Sequence, residues 1–345
     1  MLYDWLSGIL NYPIFQYFSV KIMLSFYFSF IVNLFFLKKL SSRLPRDRGK
    51  LLSVDGALSK GKPTGAGVIF LTVHLFSVLI FNSFDWDLYL STMLISAAMI
   101  FGFFDDRSAS EWGEYRKAAF DLLVSMAGAA VLILWGDVTI WVPFFKNVLI
   151  EHTIIQFIIY TLVLWVSINT TNCSDGVDGL SGILVLLSIG SLAILLYFIL
   201  GNIKISEYLL VPFIADGANW SIAAFSIVAS LFAYLWYNAY PSAILMGDAG
   251  SRGLGFAIGI IILKTGNPFL YFLISTVLFI NGGTGLIKIA LKRFLNIHIF
   301  KNIRFPLHDH MKENYNWSPT QIMIKFLILQ LVITFGVLIL IFKVR

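Results

Sequence analysis

Apolar stretches separated by short polar segments follow one another along most of the 345-residue chain. A helix that crosses the hydrocarbon core of a membrane needs about 20 apolar residues. The pattern therefore predicts an all-α polytopic membrane protein with about ten transmembrane helices, built as a single domain over residues 1–345. The predicted spans cover residues 17–37, 65–82, 87–104, 118–135, 153–168, 183–200, 221–238, 252–265, 269–290 and 321–342.

Composition agrees with a membrane protein. Hydrophobic residues make up 58% of the chain and charged residues only 13%, whereas a soluble domain carries roughly 25% charged residues. The first apolar stretch has neither a basic segment before it nor a small-residue cleavage site, so we expect a retained span and not a signal peptide. The single cysteine, Cys173, excludes an intramolecular disulfide.

Lys and Arg are concentrated in alternate loops. Eight lie in residues 38–64, whereas the intervening loops near residues 84, 146, 204 and 266 hold only Lys146, Lys204 and Lys264 between them. This asymmetry accounts for the net charge of +6, so we expect no nucleic-acid partner, and segment 38–64 is predicted to face anionic headgroups of the lipid bilayer. By the positive-inside rule both termini lie outside. The predicted cytoplasmic segments are 38–64, 105–117, 169–182, 239–251 and 291–320.

Three acidic clusters stand at the ends of predicted spans: Asp105 with Asp106, Asp175 with Asp178, and Asp248. A carboxylate beside lipid costs about 2.5 kcal/mol or more on insertion scales and is usually functional when it is retained. The predicted topology puts all three clusters on the cytoplasmic face. Acidic groups gathered there can hold a divalent cation and, through it, a pyrophosphate. The clusters therefore indicate a membrane enzyme that acts on a phosphorylated substrate.

Residues 169–179 read Asn-Thr-Thr-Asn-Cys-Ser-Asp-Gly-Val-Asp-Gly. If this segment is helical, Asn172, Asp175 and Asp178 are spaced three residues apart and share one face. That face would bind a polar headgroup, a nucleotide or a metal. The alternative is a solvated loop whose Asn and Asp side chains only form turns.

The other two acidic clusters also allow two interpretations each. Adjacent carboxylates at Asp105 and Asp106 repel each other, which favours a proton acceptor or a shared metal ligand; the alternative is a helix-end cap that pairs with Arg107. Asp248 follows Gly247 in what is expected to be a tight turn that presents one carboxylate to Mg²⁺. The alternative is a cap for the eighth helix.

The last basic loop carries His308 and His310, separated by Asp309. Histidines can contact phosphate or act as acid and base near neutral pH. A zinc site is disfavoured because the lone cysteine is distant and the other three histidines form no ligand spacing. Histidines without a role are the remaining alternative. Three lysines are candidates for contacts with substrate phosphates: Lys60, Lys62 and Lys117.

The ninth span is interrupted by Asn-Gly-Gly-Thr-Gly at residues 281–285. Paired glycines weaken a helix and permit a kink. Small residues in a membrane helix can also serve plain helix packing. The sequence leaves a functional kink and plain packing equally open.

Taken in order, these motifs resemble the polyprenyl-phosphate N-acetylhexosamine-1-phosphate transferase superfamily, and the match runs nearly end to end. The segment at 169–179 and Met-Gly-Asp-Ala-Gly-Ser at 246–251 are highly specific to the superfamily. Lys-Pro-Thr-Gly-Ala-Gly at 62–67 and Pro-Leu-His-Asp-His at 306–310 favour members that use UDP-N-acetylmuramoyl-pentapeptide over N-acetylglucosamine-phosphate transferases. Phe-Asp-Asp at 104–106 completes the set.

The resemblance implies a ten-helix fold in the bacterial cytoplasmic membrane, with a cytoplasmic cleft and a groove for the undecaprenyl chain beside the broken ninth helix. It also implies transfer of phospho-N-acetylmuramoyl-pentapeptide from UDP-N-acetylmuramoyl-pentapeptide to undecaprenyl phosphate, with Mg²⁺. The products would be lipid I, a peptidoglycan precursor, and UMP.

Individual roles also follow from the resemblance. Asp105 and Asp106 match the paired catalytic acids, Asp248 the magnesium ligand, and His308 the first residue of a run of three histidines. In this chain Asp309 replaces the middle histidine, so an imidazole cannot be essential there. The residues expected to bind substrate are Lys60, Lys117, Asn172, Asp175, Asp178, Asn238, Gly247 and His310.

Two alternatives differ in class. A sister enzyme would transfer N-acetylglucosamine-1-phosphate, or a similar sugar phosphate, to the same lipid. A secondary transporter would use Asp175 and Asp178 as ion ligands, but transporter sites usually lie near the membrane midplane between related repeats. Here the acids gather at one interface and no repeat is visible, which disfavours transport. The oligomeric state, including a homodimer, is left open.

Overall fold

The described part of the chain is almost entirely helical. The computed structural model describes residues 3, 13–49, 54, 56–110, 112–136, 139–141, 149–150 and 152–343. Its helices are α1 (Phe18–Leu40), α2 (Gly67–Phe81), α3 (Trp86–Arg107), α4 (Glu114–Trp135), α5 (Thr153–Cys173), α6 (Leu180–Ile194), α7 (Ile203–Leu209), α8 (Gly217–Asn238), α9 (Gly247–Lys264), α10 (Leu270–Ile274), α11 (Thr276–Leu278), α12 (Thr284–Leu295), α13 (Leu307–Tyr315) and α14 (Pro319–Lys343).

Every predicted span corresponds to helix, which confirms the all-α polytopic fold class. Seven helices of the described residues are long and apolar enough to cross a membrane: α1, α3, α4, α5, α6 with its π-helical extension, α8 and α14. The other three spans are also helical but differ in detail. Helix α2 has 15 residues, α9 carries three charged residues (Asp248, Arg252 and Lys264), and the ninth span is broken.

Helix α9 forms the centre of the bundle. Every residue from Ala249 to Lys264 is buried, as expected for a helix enclosed on all sides. It packs most extensively against α3 and α5. At Gly102 of α3, a Cβ atom would lie 2.2 Å from the carbonyl oxygen of Asp248, so only glycine allows the two backbones to approach this closely. This contact brings the acidic end of α3 to the first turn of α9.

The break in the ninth span is confirmed. A π-helical segment at Phe279–Gly283 separates α11 from α12. A broken helix is tolerated at membrane depth where neighbours bind the freed backbone groups. Here Gln330 of α14 donates to the carbonyl of Ile274 at 2.8 Å and accepts from the N–H of Val277 at 2.8 Å.

Two small features lie in the loops between predicted spans. Residues Ile140–Trp141 (β1) and Leu149–Ile150 (β2) form a short antiparallel pair, and α7 occupies part of the 201–220 segment. Neither has a sequence pattern long enough to predict it. Lys50 and Lys146, two of the basic residues counted in the topology, lie outside the described residues.

Candidate active site

The predicted cytoplasmic segments meet at one end of the helix bundle. The ammonium of Lys62 donates to the hydroxyl of Ser242 at 2.9 Å, and the N–H of Ser242 donates to Asp178 at 2.9 Å. Lys117 contacts Asp248 at 3.2 Å. The fifth segment joins them through its histidine loop. The three acidic clusters therefore lie at the same end of the bundle, and the assignment of this end to the cytoplasm stays a prediction.

Asp248 lies at the centre of this group. Its Oδ1 accepts a hydrogen bond from the amide of Asn172 at 3.0 Å, and its Oδ2 accepts one from Lys117 at 3.2 Å. Lys117 also forms an ion pair with Asp105 at 2.5 Å. The positive charge of the lysine therefore offsets the repulsion between two carboxylates of different helices.

A second cation supports Asp248 from within its own helix. The guanidinium of Arg252 lies 3.4 Å from Oδ2 of Asp248, one helical turn away, and also pairs with the buried carboxylate of Asp121. Arg252 and Asp121 are each only 5% exposed. The sequence interpretation did not include this pair.

Asp106 has a different role from its neighbour. Its carboxylate accepts the backbone N–H groups of Asp248 at 2.9 Å and Ala249 at 3.0 Å, so it caps the N-terminus of α9 from another helix. The two carboxylates of the pair thus contact different protein groups, and a metal ion shared between them stays a prediction. The adjacent Gly247 has φ of +68°, and a Cβ atom there would lie 2.4 Å from Oδ2 of Asp106.

The expected tight turn around Asp248 is wrong, while the presentation of its carboxylate to Mg²⁺ stays a prediction. Helix α9 begins at Gly247, so Asp248 belongs to its first helical turn. Nor does Asp248 cap that helix, because Asp106 takes the backbone donors. The carboxylate is consequently free of the cap role and faces Lys117 and Asn172.

The common helical face predicted for the 169–179 segment holds only for its beginning. Helix α5 ends at Cys173, and Asp175 and Asp178 lie in the turn that follows. Gly179 has φ of +77°, a conformation that a helix cannot continue. The turn is fastened by Asn238, whose Oδ1 accepts the N–H of Gly179 at 2.9 Å.

A cavity of about 140 Å³ lies beside these groups. Lys312, which the sequence analysis did not single out, contributes to its wall. Lys60 is exposed and is not among the described lining residues, so its expected contact with substrate stays a prediction. The charged and amide side chains of the wall that were singled out from sequence are Lys62, Asp106, Asp175, Asp178, Asn238 and Asp248.

The histidine loop packs against the part of the cavity wall that contains Gly176. His308 is 1% exposed, and its N–H donates to Oδ1 of Asn281 in the broken ninth span at 2.9 Å. Its ring packs against Gly176, where a Cβ atom would lie 2.3 Å from Nε2. His310 instead contacts the amide of Asn314 at 2.8 Å. Among the described residues neither histidine lines the cavity, so their direct roles stay predictions.

The donor set suits a hard divalent cation. Mg²⁺ is usually held by one or two carboxylates together with substrate phosphates and water. The side chain of Asp248 is 21% exposed and lines the cavity. Asp105 is linked to Asp248 by Lys117, which pairs with both carboxylates. Carboxylate oxygens at the edge of a cavity with nearby lysines fit a magnesium–diphosphate group.

Comparisons with known proteins extend over nearly the whole chain. The sequence profile described as glycosyl transferase family 4 matches residues 88–266. A phospho-N-acetylmuramoyl-pentapeptide-transferase of Treponema pallidum is 43% identical over 333 residues, which cover 96% of this chain and 92% of the relative. Relatives of the same name from Nautilia profundicola (30% identical, 92% and 93% covered) and Helicobacter pylori (28% identical, 96% of each covered) are also similar.

Proposed function

The chain belongs to glycosyl transferase family 4 and, within it, to the phospho-N-acetylmuramoyl-pentapeptide-transferases, and we propose that it makes lipid I for peptidoglycan synthesis. The donor would be UDP-N-acetylmuramoyl-pentapeptide, the acceptor undecaprenyl phosphate, and the second product UMP. The observation that carries this proposal is the cluster of Asp105, Lys117 and Asp248 beside a polar cavity, in a chain 43% identical to a relative of that name.

The reaction exchanges one phosphoanhydride for another. An oxygen of the lipid phosphate attacks the sugar-bound phosphorus of the donor, and the bond to UMP breaks. Because the bonds formed and broken are of the same kind, no large driving force is required. Catalysis then depends chiefly on positioning and on neutralising phosphate charge.

Asp248 would hold Mg²⁺, which when bound neutralises the donor diphosphate and the departing UMP. The side chains around Asp248 orient it for this role. Asn172 fixes one carboxylate oxygen at 3.0 Å, and Lys117 contacts the other at 3.2 Å. Because the Asp248 carboxylate is already held in one orientation, it loses little conformational entropy when the substrate and cation bind.

Asp105 would act on the lipid phosphate. Its Oδ1 accepts the N–H of Trp112 at 2.8 Å, and its Oδ2 pairs with Lys117. From this position it would orient the phosphate or accept its proton, and both roles are consistent with the contacts. Asp106, as the cap of α9, would act by positioning Asp248.

The wall of the cavity supplies the groups that would bind the donor. Lys62 and Lys312 are positively charged and would contact the diphosphate. Asp175 and Asp178 offer acceptors for hydroxyl and imide groups of a nucleotide sugar. Lys62 lies 3.6 Å from Asp178, so it is already oriented towards this part of the wall.

The position in the cell follows from the charge pattern. The site lies at the end of the bundle that carries the basic segments, which the positive-inside rule assigns to the cytoplasm. We therefore propose a multi-pass protein of the bacterial cytoplasmic membrane whose active site faces the cytoplasm. The nucleotide-linked donor is water-soluble and would reach the site from that side.

Substrate choice separates this proposal from its nearest rival. Purified protein in detergent would be mixed with Mg²⁺, undecaprenyl phosphate and either UDP-N-acetylmuramoyl-pentapeptide or UDP-N-acetylglucosamine. Mass spectrometry should detect the muramoyl-pentapeptide lipid and UMP only with the first donor. A lipid product formed from UDP-N-acetylglucosamine but not from UDP-N-acetylmuramoyl-pentapeptide would assign the chain to the sister activity.

A further inference from the structure

A second group of charged residues lies at the opposite end of the helices that carry the active site. Lys264, the last residue of α9, pairs with Asp87 in the first turn of α3 and with Asp216 at 2.7 Å. Lys264 follows Asp248 by sixteen positions along α9, which at a rise of 1.5 Å per residue is about 24 Å. This group is therefore distinct from the proposed catalytic site.

Asp85 completes the group. One carboxylate oxygen from each of Asp85, Asp87 and Asp216 lies within 4.8 Å of the others. Lys264 contacts Oδ2 of Asp87 and Oδ2 of Asp216. Three carboxylates against one ammonium give a formal charge of −2 when all are ionised.

Helix capping does not explain these acids. Asp85 stands at the N-cap position of α3 and Asp216 at that of α8, where an Asp usually accepts a backbone N–H of the first turn. Neither side chain makes such a bond. Both carboxylates are instead directed to the group around Lys264.

Asp87 supplies an independent sign of a missing partner. It is completely buried, and with all three acids ionised its Oδ1 has no hydrogen-bond partner among the described residues. Leaving a buried charged acceptor unsatisfied costs at least about 1–3 kcal/mol. An ion or a proton at this position would remove that cost.

A cavity of about 430 Å³ gives access to the group. Asp85, Asp216 and Lys264 form part of its wall, so water and small ions can reach the carboxylates of Asp85 and Asp216. Such a cavity would also supply the water ligands that a cation needs to complete its coordination shell.

We propose that Asp85, Asp87 and Asp216 form a second divalent-cation site, suited to Ca²⁺, at the end of the bundle opposite the active site. Ca²⁺ takes six to eight oxygen ligands at about 2.3–2.6 Å, so ligands on opposite sides of it are up to about 5 Å apart. The oxygens of the three acids fall within that span. Mg²⁺ demands a smaller octahedral shell and fits this open arrangement less well.

The site would join three helix ends. Asp85 and Asp87 belong to the start of α3, and Asp216 to the start of α8, while Lys264 ends α9. Helices α3 and α9 carry Asp105 and Asp248 at their other ends. A cation bound here would stabilise the bundle without taking part in the reaction.

The test measures Ca²⁺ binding through thermal unfolding of the full-length protein in detergent. Asp248→Asn serves as the background, so that the proposed catalytic metal does not contribute. In this background CaCl₂ should raise the unfolding midpoint and saturate, with MgCl₂ weaker. Adding Asp216→Asn or Asp85→Asn should weaken the apparent Ca²⁺ affinity at least tenfold, because each keeps the side-chain shape and removes a charged ligand.

Glu207→Gln is the matched control. Glu207 is an exposed acid of α7 at the same end of the bundle, and its loss should leave the Ca²⁺ titration unchanged. Two results would overturn the proposal: no Ca²⁺ response in the background protein, or the same titration curve with and without the Asp216 and Asp85 changes. If one of those variants does not fold, the other decides.

A shared proton is the competing explanation. Burial, followed by the hydrogen bond and charge of Asp87, raises the pKa of Asp85 to about 7. If a proton and not a cation occupies the group, stability will change with pH near 7 while CaCl₂ has no effect, and that result would also overturn the cation site. None of these outcomes depends on which sugar donor the active site uses.

Discussion

Arg252 provides the sharpest test of how the catalytic end is held together. Its guanidinium pairs with Asp121 and contacts Asp248 at 3.4 Å, and both Arg252 and Asp121 are 5% exposed. Arg252→Leu removes the charge that balances a buried carboxylate. Breaking a buried ion pair in this way costs about 3–5 kcal/mol, a large part of a total stability of about 5–15 kcal/mol. We expect a strongly destabilised protein.

The double variant Arg252→Leu/Asp121→Leu should behave differently. Replacing both members of a buried pair by apolar residues is often neutral or stabilising, so most of the lost stability should return. The contact between Arg252 and Asp248 is absent in both variants. Any loss of turnover that arises from this contact should therefore persist in the double variant.

Stability would be measured by heating the purified protein in detergent and quantifying the folded fraction by size-exclusion chromatography. Arg293→Leu is the matched control, because Arg293 is 49% exposed and its pair with Glu114 is a surface contact worth about 0–1 kcal/mol. Equal destabilisation in the single and double variants would refute the buried pair. A single Arg252→Leu variant as stable as the Arg293→Leu control would refute it too.

Three further predictions concern the cavity and its supports. Lys62→Ala should raise KM for the UDP-linked donor about tenfold in steady-state assays, because about 1.4 kcal/mol of charge interaction is lost. Lys60→Ala should keep a KM close to wild type. A larger rise in KM for Lys60→Ala than for Lys62→Ala would contradict the assignment of Lys62 to the cavity wall. Gly176→Ala should displace the ring of His308, so that kcat falls while the unfolding midpoint changes little. An unchanged kcat would contradict the contact between Gly176 and His308. Gly247→Ala should lower the unfolding midpoint, since a left-handed conformation costs a non-glycine residue about 1–2 kcal/mol; an unaltered midpoint would be inconsistent with the structure.

Much of the fold could be predicted because membrane helices depend on the length of apolar stretches. All ten predicted spans contain helix, and the basic loops identify the segments that meet at one end. Helix ends were less predictable. At Asp248 the flanking glycines indicated a turn, but the carboxylate of Asp106 caps the backbone and lets α9 begin at Gly247. That long-range contact has no local sequence signal.

The same limit explains what was missed in the site. Arg252 follows Asp248 by four residues, a spacing that places both on one helical face. Because a turn was expected at Asp248, helical spacing was not applied to this pair. Its partner Asp121 comes from another helix and could not be paired from sequence. Lys264 was counted among the loop charges of the topology, whereas the structure buries it within the cluster at the end of α9.

The histidine loop shows how a motif can be located without its role. Its position next to the catalytic segments was expected, and His308 does contact Gly176 between Asp175 and Asp178. Its burial was not expected, because the histidine belongs to a polar, basic loop. His308 is held in the interior by its hydrogen bond to Asn281, a side chain of the broken ninth span.

A Mg²⁺ titration of lipid product formation decides whether Asp248 supports magnesium-dependent phosphosugar transfer. Wild-type protein should show saturable dependence on Mg²⁺. Asp248→Asn keeps the shape and removes the charge, so it should lose several orders of magnitude in rate at every Mg²⁺ concentration while staying folded. Asp175→Asn, which alters the donor wall, should keep the wild-type Mg²⁺ dependence in its residual activity. A wild-type rate in Asp248→Asn, or a Mg²⁺ shift confined to Asp175→Asn, would mean that Asp248 is not the magnesium ligand.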